Sequence, residues 1–123
     1  NETREIMNRN GHQNVQIWPT EFGWATWDDL SVGLPDPPQN FVFYTYNSLE
    51  DQMNYTLRAL EIGQSRADIG PMFLWNLNFA NEISIQNRQE IVGYSLLLPP
   101  DENGDIVRRP LAWQLSGALC PAP

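Results

Sequence analysis

The sequence predicts an α/β fold of two βα units in series, and three observations carry that expectation. Two short apolar runs, Val15-Gln-Ile-Trp18 and Met72-Phe-Leu-Trp75, read as buried strands, the second as one covered on both faces in a parallel sheet. Each run opens into a long irregular stretch rather than a tight hairpin. Between them, Met53, Leu57, Leu60 and Gln64 recur at helical spacing. This order describes part of an α/β barrel or of an open doubly wound sheet, and periodicity does not choose between the two.

Taken in order, Glu2 to Arg9 is polar around Ile6 and Met7, the last stretch of an amphipathic helix, and Asn10-Gly11 supplies its stop. The first strand ends near Thr20. From Gly23 to Asn47 the chain carries Gly33, Pro35, Pro37 and Pro38 among scattered aromatics, a loop longer than connections usually are without a functional reason. Ser48-Leu-Glu-Asp51 has the form of a capping box, so a helix starts there, and Tyr55, Ala59 and Ile62 widen its apolar face as it runs to about Ala67. The second strand follows, then an irregular stretch after Asn78 and a short strand or extended segment at Val92 to Leu98. Pro99 to Gly104 is a turn. Pro110 to Leu119 is a final helix, proline suiting the first helical turn.

The chain has 123 residues, enough for one modest core, whereas a complete eight-fold β/α barrel takes ~250. A barrel reading therefore implies a fragment, in keeping with a chain that begins at Asn1. All 7 basic residues are arginine, set against 15 acidic ones, for a net charge of −8. That balance repels phosphate backbones and anionic membranes, so neither nucleic acid nor membrane is expected as a partner, while neutral substrates fit it. The single Cys120 cannot form an internal disulfide, and no apolar run approaches the ~20 residues of a membrane span. Compartment stays open, a secreted or extracellular location included. Five tryptophans, four tyrosines and five phenylalanines fall largely beside turn residues, and loop aromatics usually bind something, sugar rings among the common partners.

Reactive groups in parallel α/β proteins gather at the C-terminal ends of strands, which is where Glu21 falls. Its neighbours Trp18, Phe22 and Trp24 are apolar, and an acidic residue there is costly to bury without a purpose; the plainer alternative is a glutamate that caps a loop or pairs with an arginine. Trp75 is the best platform for a pyranose face, against the alternative of a core tryptophan. Trp24 and Trp27 have similar claims, and Asn76 and Asn78 either bind sugar hydroxyls or satisfy local backbone. Asp28 and Asp29, in the loop after Trp27, either touch a substrate hydroxyl or, the favoured reading, form a solvated loop face; Glu82 has little claim to catalysis, and Trp113 is read as packing. His12 stands alone, and there is no cysteine pair, phosphate-binding glycine loop, serine elbow or dinucleotide fingerprint, so no metal or cofactor is expected. The sequon Asn54-Tyr-Thr56 falls inside a helix and is discounted.

The stretch Thr20-Glu21-Phe22-Gly23-Trp24, following an apolar strand, resembles the seventh-strand motif of clan A glycoside hydrolases, the cellulase-like and family 39-like barrels. Phe73-Leu-Trp75-Asn-Leu-Asn78 resembles their eighth strand, and Tyr94-Ser-Leu-Leu with Arg109-Pro-Leu-Ala-Trp113 their closing segment and last helix, so nearly the whole chain is covered. The resemblance implies a partial (β/α)8 TIM barrel covering roughly the last two βα units, strands 7 and 8, with long loops. Residues 1–123 are then a C-terminal fragment of a catalytic barrel. It implies that Glu21 is the nucleophile of a retaining double displacement on an oligo- or polysaccharide, with Trp75 lining the sugar subsite. Such chemistry needs a second carboxyl ~5–5.5 Å away as acid and base. In the family that group follows an asparagine at the end of strand 4, which lies upstream of Asn1 and leaves this chain inactive alone. Exposed strand edges are expected either to hold the missing upstream barrel segment or to drive self-association. A reading from another class is a non-catalytic carbohydrate- or protein-binding module that keeps the aromatic loops.

Overall fold

The computed structural model describes residues 2–30 and 36–119. Gly33 and Pro35 of the long loop, and Cys120, lie outside the described residues. The fold is a small mixed domain: among the described residues, four α-helices, two 3-10 segments and one antiparallel hairpin. The helices are α1 (Glu2–Arg9), α2 (Leu49–Gln64), α3 (Glu82–Gln86) and α4 (Pro110–Leu119), and the 3-10 segments are Gln39–Tyr46 and Glu90–Tyr94. Strands β1 (Leu97–Pro100) and β2 (Ile106–Arg108) pair antiparallel.

The expected partial (β/α)8 barrel with strands 7 and 8 is therefore corrected: no parallel sheet forms among the described residues. The segments that hold the two apolar runs do lie side by side and parallel, but they pair through the isolated bridges Ile17↔Ile69 and Phe22↔Leu74 and a Phe73 N–H bond to Pro19 O at 2.9 Å rather than through a continuous ladder. The physical reason lies in the pairing. Pro19 and Pro71 lack the N–H that a ladder needs, and a parallel pair with no third strand has little to stabilise it. Nor are the runs buried on both faces, since Val15 is 51% exposed, Trp18 56% and Phe73 49%. The expected strand at Val92 to Leu98 is likewise redistributed. Its first half is the 3-10 turn, while Leu97 begins β1, whose partner β2 follows the turn at 101–104.

The core is built by the segment expected to be a site-forming loop. Ala25, Trp27 and Leu30 pack with Tyr44, Ala80 and Val92, flanked by Phe41, Ile85, Ile91, Tyr94 and Leu98. Helix α2 starts as its capping box dictates: the Asp51 N–H donates to Ser48 Oγ at 3.0 Å, and the Ser48 N–H to the Asp51 carboxylate at 3.0 Å. Its buried residues, however, are Gln52, Thr56 and Gly63, while Met53, Leu57 and Leu60 are only half-buried. The inward stripe is turned by one residue from the apolar one because Gln52 Nε2 is drawn to the carbonyls of Trp24 at 2.8 Å and Gly93 at 3.2 Å. Helix α1 buries no residue and is held through Arg4, which donates to Val15 O at 2.8 Å and pairs with Asp68 at 3.2 Å.

Candidate functional site

Backbone hydrogen bonds carry Glu21 and Trp75 to the same place. The Phe22 N–H donates to Phe73 O at 3.2 Å and the Trp75 N–H to Phe22 O at 2.8 Å, so Phe22, next to Glu21, is clamped to the 73–75 segment. Gly23 permits this approach, because a Cβ there would strike the Trp75 carbonyl oxygen and lie 3.5 Å from Tyr94 Cδ1. The result is an open cavity of about 310 Å³ lined by Glu21, Phe22, Gly23, Trp75, Glu90 and Tyr94. Glu21 is exposed there and takes part in none of the ion pairs among the described residues.

Trp75 is half-buried, its ring edge-on to Phe79 at 5.1 Å and 73°, and the Trp75–Asn76 peptide is cis. Tyr94 stands edge-on to Tyr44 at 5.6 Å and 81°. Tyr44 is 1% exposed, and burial pushes its phenol pKa well up. An indole, two carboxylates and a phenol ring around one open volume suit a polyhydroxylated ring with an apolar face.

The other sequence-nominated residues lie elsewhere. Trp27, 2% exposed, belongs to the core and has no ring face free for a ligand. Trp24 is tilted against Tyr55 at 5.9 Å and lines a separate pocket with Arg58, Ala59 and Ile62. Asn76 is 4% exposed and spent on structure: Nδ2 donates to Ile91 O at 2.8 Å, while Oδ1 accepts from Ser95 Oγ at 2.7 Å and from the Phe79 N–H at 3.2 Å. Asn78 is exposed and shares a different pocket with Glu82, Pro99 and Ile106. Asp28 accepts from the Leu49 N–H at 3.2 Å, and Asp29 pairs with Arg109. No group of three or more His, Cys, Asp or Glu that could hold a metal occurs among the described residues. No described helix is long and apolar enough to cross a membrane.

Sequence reasoning missed Glu90, Tyr94 as a lining residue, and Phe79 as the support of Trp75. Nothing local marks Glu90, since its stretch reads as irregular and polar; only the tertiary path of the 3-10 turn brings it to Glu21. Compared with protein-family models, with curated proteins and with solved structures, the chain matches none.

Proposed function

We propose that this chain supplies the nucleophile side of a retaining glycosidase site, in which Glu21 attacks the anomeric carbon of a sugar held against Trp75. One observation carries the reading: an exposed carboxylate with no ion-pair partner among the described residues shares an open cavity with a half-buried indole. The motif around Glu21 points the same way. In the first step a Glu21 oxygen bonds to the anomeric carbon as the bond to the leaving oxygen breaks, and a second carboxyl protonates that oxygen. In the second step the same group takes a proton from water, whose oxygen displaces Glu21 from the sugar. The resemblance puts this acid/base outside residues 1–123.

The test follows from that division of labour. An activated 2-deoxy-2-fluoroglycoside with a dinitrophenolate leaving group needs no proton donor, so a correctly placed nucleophile traps it even where the acid is missing. A panel in gluco, manno, galacto and xylo configuration is expected to give a covalent adduct mapped by mass spectrometry to Glu21 and abolished by Glu21→Gln. No adduct across the panel, or one on another residue, overturns the proposal. Sugar binding without an adduct identifies the chain instead as a carbohydrate-binding module.

A further inference from the structure

We infer that Glu90 reads the hydroxyl pattern of the sugar in the Glu21 cavity, accepting hydrogen bonds from hydroxyls remote from the anomeric carbon; this rests on the sugar-site reading above. Glu90 opens the 3-10 segment Glu90–Tyr94 and lines the same cavity as Glu21 and Trp75. That segment is rigidly tied. Asn76, next to Trp75, donates to Ile91 O at 2.8 Å, and the Gly93 carbonyl accepts from the Thr26 N–H at 3.0 Å and from Arg109 Nη1 at 2.8 Å. Val92 and Gly93 are buried. The Glu90 backbone is thus fixed to the residue that follows the indole platform, the preorganisation that selective recognition requires.

The two carboxylates differ in what they suit. Glu21 sits on the segment clamped to Trp75, whereas Glu90 stands exposed at the start of the 3-10 segment that lines the same cavity. A catalytic acid is ordinarily made by burying its carboxyl, but hydroxyl recognition needs only an accessible one. A carboxylate offers two oxygens and so accepts from two neighbouring hydroxyls while the apolar ring face rests on the indole. A site built to accept a hydroxyl rejects the analogue that lacks it, here by about tenfold to a hundredfold.

The measurement is a nuclear magnetic resonance titration of this chain, following the Trp75 indole N–H. Ligands are the methyl β-glycosides in gluco, manno, galacto and xylo configuration, and then the monodeoxy analogues of the tightest binder. In the wild-type chain at least one monodeoxy analogue is expected to bind about tenfold more weakly than its parent, and in Glu90→Ala and Glu90→Leu, which carry no acceptor, that difference is expected to disappear while the parent still binds. A deoxy penalty that persists in both variants, or that is absent from the wild type, overturns the role of Glu90 alone. No shift of the Trp75 signal by any glycoside overturns the sugar-site reading with it. Glu90 is exposed, so both variants are expected to keep the wild-type spectrum away from the cavity.

Discussion

Arg109 is 1% exposed, and the geometry around it explains how a buried cation is tolerated. Nε and Nη2 donate to the Asp29 carboxylate at 2.9 and 2.7 Å, and Nη1 donates to the carbonyls of Gly93 and Ser95 at 2.8 Å each. A single guanidinium thereby joins the 25–30 core segment to the 3-10 turn that carries Glu90. Removing one partner of a buried pair costs about 3–5 kcal/mol, most of it the charge left behind. Asp29 is 22% exposed at its side chain and its partner 0%, so the penalties differ. Asp29→Ala strands a fully buried cation and is expected to cost more in urea unfolding than Arg109→Met, and Arg109→Lys is expected not to rescue, because an ammonium cannot fork onto Asp29. Equal losses for the two truncations contradict this account. At Gly23 the obstacle is backbone, which cannot swing aside as a side chain can. Gly23→Ala is expected to lose about 1–3 kcal/mol and to shift the Trp75 indole resonance, as a displaced cavity wall requires. The sequence exposes neither role. Asp29 reads as a solvated loop acid because its partner is remote in the chain, and Gly23 reads as one letter of a motif.

Elements governed by local chemistry are the ones legible in the sequence. Ser48 and Asp51 announce the start of α2 because both halves of the capping box lie within one turn, and Pro110 opens α4 for a similar reason. Ser48→Ala is expected to lower stability by about 1 kcal/mol in thermal unfolding, since it removes the acceptor for the Asp51 N–H. Which face of α2 turns inward is not local. Hydrophobicity favours Met53, Leu57 and Leu60, yet the carbonyls of Trp24 and Gly93 draw in Gln52, so burial falls on Gln52 and Thr56. The strands fail for a related reason: apolar β-branched runs state a preference, and a ladder needs a neighbour that the described residues do not provide. The site shares this division. Glu21 and Trp75 stand out by type and position, whereas Trp27 and Asn76 are aromatic and amide groups claimed by the interior.

At the scale of the whole molecule the aromatic residues divide: Trp27 and Tyr44 are buried in the core, Trp18, Phe43, Tyr46, Tyr55, Phe73, Phe79 and Trp113 stay exposed, and the two strand-like runs meet in isolated bridges rather than in the parallel sheet an α/β class requires. The same tertiary environment fixes how stability depends on pH. Three carboxyls are held below the ordinary aspartate range: Asp68 by its hydrogen bond from Arg66 and then by Arg4, Asp51 by the Ser48 N–H and hydroxyl, and Asp101 by backbone N–H groups led by that of Asp105. For each, the folded state favours the ionised form. The stabilisation is present above the unfolded value of about 3.9 and is lost as pH falls through the folded one. Tyr44 acts oppositely. Burial raises its phenol, so its contribution is complete below the unfolded value of about 10 and is lost as pH climbs above it. The net charge of −8 at pH 7 adds self-repulsion that eases toward the pI of about 4.3. The urea midpoint is therefore expected to hold or rise slightly from pH 7 to 5, to fall below about pH 4, and to fall again above about pH 10. In Tyr44→Phe the alkaline limb is expected to flatten while the acid limb stays; an unchanged alkaline limb assigns that loss to another group.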